Sequence, residues 1–344
     1  GPRHPHFPPM SDASPSARSV CIAGTGSYVP EKVLTNADLE KRVDTTDEWI
    51  VTRTGIRERR IAAEDEFTSH LATNAARRAL DQAKVDPKDL QLIIVATITP
   101  DPLTPPTACY VQQNLGAFGS VAFDISAACS GFLYAMKIAK RLISDGAFEN
   151  ALIVGAEKLS SFVNWEDRST CVLFGDGAGA AVLKLREKDD DGEILATEMG
   201  TDGRQTHLLN IPGGGSACPI TIENPDKQLA TLAMLGKEVF KHAVLRMKQS
   251  AELVIERSNL KASDIDLVVP HQANLRIIDA IAERLEVSYD RVFTNLQRYG
   301  NTSAAAVAIA LDEANRAGRI PKGGHVVLVA FGAGLTWAAA AIRW

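Results

Sequence analysis

Apolar residues along this chain change their spacing from two to nearly four at a series of points, and each change marks a strand handing over to a helix. The clearest change lies at 121–143. Val121, Phe123 and Ile125 alternate as in a strand, after which Phe132, Ala135, Met136, Ala139, Leu142 and Ile143 recur at helical intervals. Upstream, the pattern predicts a strand over 20–26, helices over 36–43 and 46–54 with Asn36 capping the first, and a helix over 69–83. Residues 92–97 form an unbroken apolar run of the kind buried on both faces of a parallel sheet. A proline-rich loop at 100–106 leads to a helix over 108–115. Downstream come a buried strand at 151–155, a glycine-rich apolar run at 172–183, a strand at 194–199 and long helical periodicity over 228–257.

The remainder repeats what precedes it. Residues 264–270 resemble 89–95: in both, a helix ends, an acidic turn follows and an apolar strand begins. Residues 292–295, with a helix from about Thr302, echo the strand and helix around position 129, and 329–341 echo 173–182. Three matches in one order predict a duplicated α/β unit, with halves at 19–185 and 186–344. Loops from the two halves would then face each other across a pseudo-twofold axis.

Composition narrows the class. At 344 residues, 45% hydrophobic and 23% charged, the chain reads as a globular protein of two such units. No apolar run approaches the roughly 20 residues of a membrane span, so membrane insertion is not expected. A net charge of −5 argues against general nucleic-acid binding and requires any acidic partner to find a local basic patch. Cys21, Cys109, Cys129, Cys171 and Cys218 are widely spaced without a Cys-x-x-Cys pair, which fits a reducing cytoplasm and offers no metal site. Residues 1–18 read as a tag or disordered tail without a signal peptide.

Candidate chemistry centres on Cys129 at the strand-to-helix junction. Unpaired N–H groups and the positive end of a helix dipole there favour a thiolate, against the competing role of a small buried hydrophobe. Its neighbours Ser126, Ala127, Ala128, Ser130 and Gly131 are small, leaving room for an acyl group and for backbone donors to its carbonyl. His271 follows a predicted buried strand, where α/β proteins place site residues, although a lone histidine also serves structure. Asn301 by itself reads as a helix-start signal. Together the three suggest a thiolate attacking an acyl thioester, with a neutral imidazole and a carboxamide donating to an enolate oxygen. Gly24-Thr-Gly26 invites a dinucleotide reading, but Val29 stands where a third glycine is needed, so a nicotinamide cofactor is not expected. Arg53, Arg57, Arg59 and Arg60 form a basic cluster.

Seven motifs then carry a resemblance over about 19–344: Gly24-Thr-Gly-Ser-Tyr-Val-Pro30, Asp47-Glu-Trp-Ile-Val-Thr-Arg-Thr-Gly-Ile-Arg57, Ala128-Cys-Ser-Gly131, Phe174-Gly-Asp-Gly-Ala-Gly-Ala180, Pro270-His-Gln-Ala-Asn-Leu-Arg276, Gly300-Asn-Thr-Ser-Ala304 and Phe331-Gly-Ala-Gly334. The chain resembles the β-ketoacyl-acyl-carrier-protein synthase III family, which initiates type II fatty acid synthesis. The resemblance implies a thiolase-like α/β fold, two half-domains packed as a five-layered αβαβα sandwich, and a homodimer. It implies a ping-pong reaction: acyl-CoA acylates Cys129, malonyl-acyl carrier protein is decarboxylated with His271 and Asn301 stabilising the enolate, and a 3-oxoacyl product forms. No cofactor is implied beyond the coenzyme A thioester as substrate.

By the same resemblance, the backbone N–H groups of Cys129 and Ala333 form the oxyanion hole. Trp49 and Arg168 sandwich the adenine of coenzyme A, Thr45 and Arg53 line the nucleotide site, Asn274 contacts pantetheine, and Phe331 flanks the cysteine and histidine. Arg276 and Lys241 match the surface that receives the carrier protein. Thr104 stands where short-chain members carry phenylalanine, at a pocket floor contributed across the dimer, which implies tolerance of primers longer than acetyl. Related condensing enzymes of quinolone or polyketide pathways share these residues, and a non-catalytic coenzyme A or carrier-protein binding module is the alternative of a different class.

Overall fold

The computed structural model describes residues 17–344; the greater part of the stretch expected to be a tag or tail lies outside the described residues. The fold is carried by nine strands, β1 (Val20–Tyr28), β2 (Leu92–Ala96), β3 (Val121–Ile125), β4 (Asn150–Glu157), β5 (Gly177–Leu185), β6 (Glu193–Thr201), β7 (Ile265–Pro270), β8 (His325–Gly332) and β9 (Thr336–Arg343). Packed on them are the helices α1 (Asp47–Thr54), α2 (Thr68–Ala83), α3 (Thr107–Leu115), α4 (Gly131–Ser144), α5 (Gly236–Arg257), α6 (Leu275–Arg284) and α7 (Ala306–Arg316).

The strands are hydrogen-bonded in the order β7-β8-β9-β6-β1-β5-β4-β2-β3. Between β1 and β6 the register has a single pair, Cys21 with Glu193, so the array is two sheets joined at a narrow seam. One sheet runs β3-β2-β4-β5-β1. The other runs β7-β8-β9-β6, and Val292 bridges in parallel to Val268 of β7. In chain order both follow third, second, fourth, fifth, first, with the same parallel and antiparallel pairings.

Alternation along the strands sets the layers. Leu92 and Ile94 of β2 belong to the central core, whereas Ile93 and Val95 belong to the core under α2 and α3. On β8, Val326, Leu328 and Ala330 face the same central core, while Val327, Val329 and Phe331 face the core under α5 and α6. Strands buried on both faces need apolar residues at every position, hence their unbroken apolar runs. α4 and α7 fill the space between the sheets. The result is the expected five-layered αβαβα sandwich.

Three local readings are corrected. The cap of the short helix Asn36–Glu40 is Thr35, whose hydroxyl accepts from Asp38 N at 3.1 Å while its own amide donates to the Asp38 carboxylate. Asn36 instead donates to Asp47 and to the Ile56 carbonyl, fixing the approach to α1. Arg59 does not belong to a surface basic cluster. It is fully buried and donates to the carbonyls of Leu34 and Val172 and to Asn36 Oδ1, and burial lowers its pKa to about 10. The helix expected from 228 begins at Gly236, because the amides of Leu232 and Leu235 are taken by the carbonyls of Phe162 and Leu208.

Candidate active site

After β3 the chain passes through Ser126 and Ala127 into a single tight turn, Ala128–Ser130, from which α4 continues. Ala128 has φ of 50°, a left-handed conformation that costs about 1 kcal/mol or more for a residue with a Cβ. Neighbouring structure holds it there. The Thr336 hydroxyl donates to the Ala127 carbonyl at 3.0 Å, and Gly332 closes against the turn so tightly that a Cβ would lie 2.6 Å from Cys129 N. Cys129 is thereby lifted off the end of the sheet at the mouth of α4.

His271 leaves β7 with its amide still donating to Val329, at 2.7 Å, so the sheet positions the ring. Asn301 is clamped by its backbone, donating to Leu173 and accepting from Gly175. Its Oδ1 accepts from Ser303 N at 2.8 Å, which leaves the amide Nδ2 as the donating end. Cys129, His271 and Asn301 line one narrow cavity of about 70 Å³ together with Phe331, Asn274 and Phe174. Val239, Ala243 and Met247 of α5 supply an apolar wall.

Electrostatics differ from the sequence expectation in one respect. Burial, with a further contribution from the Glu157 carboxylate, pushes the Cys129 thiol up to about 12. That rise from 9.0 corresponds to roughly 4 kcal/mol, whereas a helix end supplies at most about 2 kcal/mol. Burial therefore outweighs the helix end and favours the thiol, against the sequence expectation that the setting favours the thiolate. His271 is buried and its pKa is lowered to about 4, so the imidazole is neutral near neutral pH.

The residues expected on the nucleotide side gather on α1 and its surroundings. Arg53 and Arg168 lie over the Trp49 ring at 4.7 and 5.3 Å from its centroid. A base inserted between two plates needs them about 7 Å apart, so Arg168, which also donates to the Asp44 carbonyl, must swing outward to admit one. Thr45 is half-buried and its hydroxyl has no partner. Arg276, exposed on α6, borders the same cleft as Trp49 and Arg53, and Lys241 is exposed on α5 beside Glu238. Asn274 caps α6, its Oδ1 accepting from Ile277 N, so only its NH2 is left for a ligand. Ala333 is partly exposed just beyond Gly332. Thr104 is exposed and does not line the cavity of its own chain.

Sequence reasoning did not single out Ser303 or Glu157. Ser303 Oγ lies 3.6 Å from Cys129 Sγ, and Glu157 is a fully buried carboxyl at the end of β4. The only sequence signals were a serine inside the asparagine motif and a lone acid ending an apolar strand. Among the described residues no group of three His, Cys, Asp or Glu side chains is placed to hold a metal ion, and no helix is long and apolar enough to cross a membrane.

Two family models match the chain, 3-oxoacyl-[acyl-carrier-protein (ACP)] synthase III over residues 123–203 and 3-oxoacyl-[acyl-carrier-protein (ACP)] synthase III C terminal over 255–344. It is 56% identical over 323 residues to the β-ketoacyl-[acyl-carrier-protein] synthase III of Caldanaerobacter subterraneus subsp. tengcongensis, covering 94% of this chain and 97% of that one. The crystal structure of 3-oxoacyl-[acyl-carrier-protein] synthase III from Aquifex aeolicus VF5 superposes with a TM-score of 0.87 at 50% identity, covering 94% of this chain and 100% of that one. A priming β-ketosynthase from the R1128 polyketide biosynthetic pathway gives a TM-score of 0.90 at 39% identity, covering 96% and 98%. With identity of this order over nearly the whole length, the chain belongs to the 3-oxoacyl-[acyl-carrier-protein] synthase III family.

Proposed function

We propose that the chain is a condensing acyltransferase that joins an acyl-CoA primer to malonyl-acyl carrier protein, releasing carbon dioxide and coenzyme A and initiating fatty acid synthesis. The observation that carries this reading is the single narrow cavity shared by a thiol, a neutral imidazole and a carboxamide. Cys129 takes the acyl group. The backbone amides of Cys129 and Ala333 receive its carbonyl oxygen, and His271 with Asn301 receive the enolate left by decarboxylation. The two half-reactions alternate at one sulfur, as a ping-pong sequence requires. The repeated strand order supports halves at 19–185 and 186–344, whose loops meet at this cavity.

Identity to relatives named β-ketoacyl-[acyl-carrier-protein] synthase III reaches 50–56% in Caldanaerobacter and Aquifex, against 39% to the polyketide-priming enzyme, which favours the first role over the second. Incubation with acyl-CoA and malonyl-carrier protein tests the proposal: a 3-oxoacyl-carrier protein is expected, and its absence alongside an intact fold rejects it.

Coenzyme A is held by stacking on Trp49 once Arg168 moves out. Trp49→Ala is therefore expected to raise KM for acyl-CoA about tenfold with kcat within about twofold, read from initial rates. Arg276 and Lys241 receive the acidic carrier. Five free cysteines suit a reducing compartment such as the cytoplasm.

The homodimer reading is supported by β3, an edge strand paired on one side only, and by Leu103 and Phe118 in the loops on either side of α3, 88% and 71% exposed. In such a dimer Thr104 closes the partner's acyl pocket. Thr104→Phe is then expected to lower acylation by primers longer than acetyl about tenfold and to spare acetyl-CoA. An unchanged chain-length series rejects that role.

A further inference from the structure

Glu157 is the one buried carboxyl beside the sulfur that the chemistry above leaves unused. Its Oε1 is saturated: it accepts from the Thr97 hydroxyl at 2.6 Å, the Ile98 amide at 2.8 Å and the Thr99 hydroxyl at 3.2 Å. Its Oε2 is buried and unpartnered. The Ser303 hydroxyl neighbours this carboxyl, helping to offset the upward push of burial on it, and lies 3.6 Å from Cys129 Sγ. Ser303 is itself fixed, with φ of 52° and its amide tied to Asn301.

We propose that Glu157, acting through the Ser303 hydroxyl, accepts the proton of Cys129 as its sulfur attacks the acyl thioester, and returns it to the departing coenzyme A sulfur. This rests on Cys129 being the nucleophile.

Charge decides the arrangement. A hydroxyl has one proton and faces two acceptors. With the carboxyl ionised, Ser303 donates to it and accepts from the thiol; with the carboxyl protonated, Ser303 accepts from it and donates to the thiolate. Moving between these states shifts one proton across the trio while its net charge stays at minus one. Two adjacent anions in a dry interior are never required. As the new Sγ–C bond forms and the carbonyl-to-sulfur bond of the acyl-CoA breaks, the proton goes back through Ser303 to the coenzyme A thiolate, and the carboxylate is restored.

The groups facing Glu157 suit a shared proton. From the β2 end these are the hydroxyls of Thr97 and Thr99; from the turn before α7, Ser303; from the turn before α4, Cys129. Lys158, next in the chain, is drawn away to the carbonyls of Ala63 and Glu64. Asp176, just before the Gly177 that pairs with Glu157, is occupied by Ser160 and the Ala62 amide. Burial raises the carboxyl to about 7, nearer the thiol than any ordinary carboxylate, whereas His271 at about 4 is the weaker base.

The test is single-turnover release of coenzyme A from acyl-CoA, without malonyl-carrier protein, across a pH range centred on 7. The wild-type rate is expected to rise through a bend near pH 7 and level off. Glu157→Gln keeps the acceptor for Thr97 and Ile98 but cannot take a proton; a loss of about 10²-fold is expected, with the bend gone and the rate climbing with pH throughout. Ser303→Ala, which removes one atom and holds the test should the glutamine variant not fold, is expected to match it. The double variant is expected to be no slower than either, and Glu157→Asp to restore part of the rate with the bend.

Rates within about threefold of wild type, or an equal loss at every pH with the bend retained, overturn the relay. Cys129→Ala separates the two levels. If it takes up no acyl group while Glu157→Gln behaves as wild type, the relay alone is wrong; if it is still acylated, the nucleophile assignment fails and the relay with it.

Discussion

Alanine at position 129 is expected to abolish acyl uptake, with no mass increase after mixing with acyl-CoA and condensation reduced by about 10⁴-fold or more. The size of the effect follows from the cavity. On the proposed chemistry Cys129 Sγ is the reacting atom; Phe331, His271 and Asn301 line the same cavity, and no second cysteine lines that space. The fold is expected to survive, because the strained turn at Ala128 is held by Thr336 and Gly332 and not by the sulfur. An adduct that persists in Cys129→Ala, seen by intact mass, overturns the assignment.

If His271 and Asn301 are the enolate donors proposed above, removing either one separates the two half-reactions. His271→Ala is expected to become acylated at near wild-type rate, and Asn301→Ala somewhat more slowly because Ser303 loses its amide tie, yet both are expected to lose malonyl decarboxylation and condensation by about 10² to 10³-fold, the usual consequence of deleting one preorganised donor. Single-turnover acylation and carbon dioxide release, measured side by side, check this. Equal loss in both half-reactions places the residues in the first step and rejects the assignment. Asn301 carries no titration, and its Oδ1 is tied to Ser303, so its donor role is the same at every pH.

His271 brings a definite pH signature. Its folded pKa is lowered to about 4 from 6.5, so the imidazole stays neutral down to about pH 4 and decarboxylation has no His271 bend above that value. For stability the sign runs the same way. Between about 4 and 6.5 the unfolded chain binds a proton that the folded chain refuses, so this contribution is complete above pH 6.5 and is lost as pH falls through about 4. His271→Ala is expected to weaken the dependence of melting temperature on acid, and an unchanged dependence rejects the burial argument.

Much of this was legible from the chain because periodicity records burial. β2, and β8 from Val326 to Phe331, are apolar at every position since both faces are covered, and the switch from alternation to helical spacing located Cys129 on its turn. Where the reading failed, a distant partner decided the outcome. Asn36 has the composition of a cap, but Arg59, Asp47 and Ile56 arrive from elsewhere and claim its side chain. Residues 228–235 have helical periodicity, but the carbonyls of Phe162 and Leu208 draw their amides out of a helix. The helix-end argument for a thiolate weighed a local dipole and missed the larger cost of burial.

The sequence by itself determined the repeated α/β order, the residue types able to do thioester chemistry and the family, since these are encoded in local spacing and short motifs. Only the tertiary structure decided that a sulfur from one half and an imidazole and a carboxamide from the other line a single cavity. It alone decided that burial raises the pKa of the thiol there, and that Ser303 lies beside the sulfur with the buried Glu157 close by. Distances and dielectric environment belong to the packed interior, where residues separated by more than a hundred positions become neighbours, and no local pattern along the chain records them.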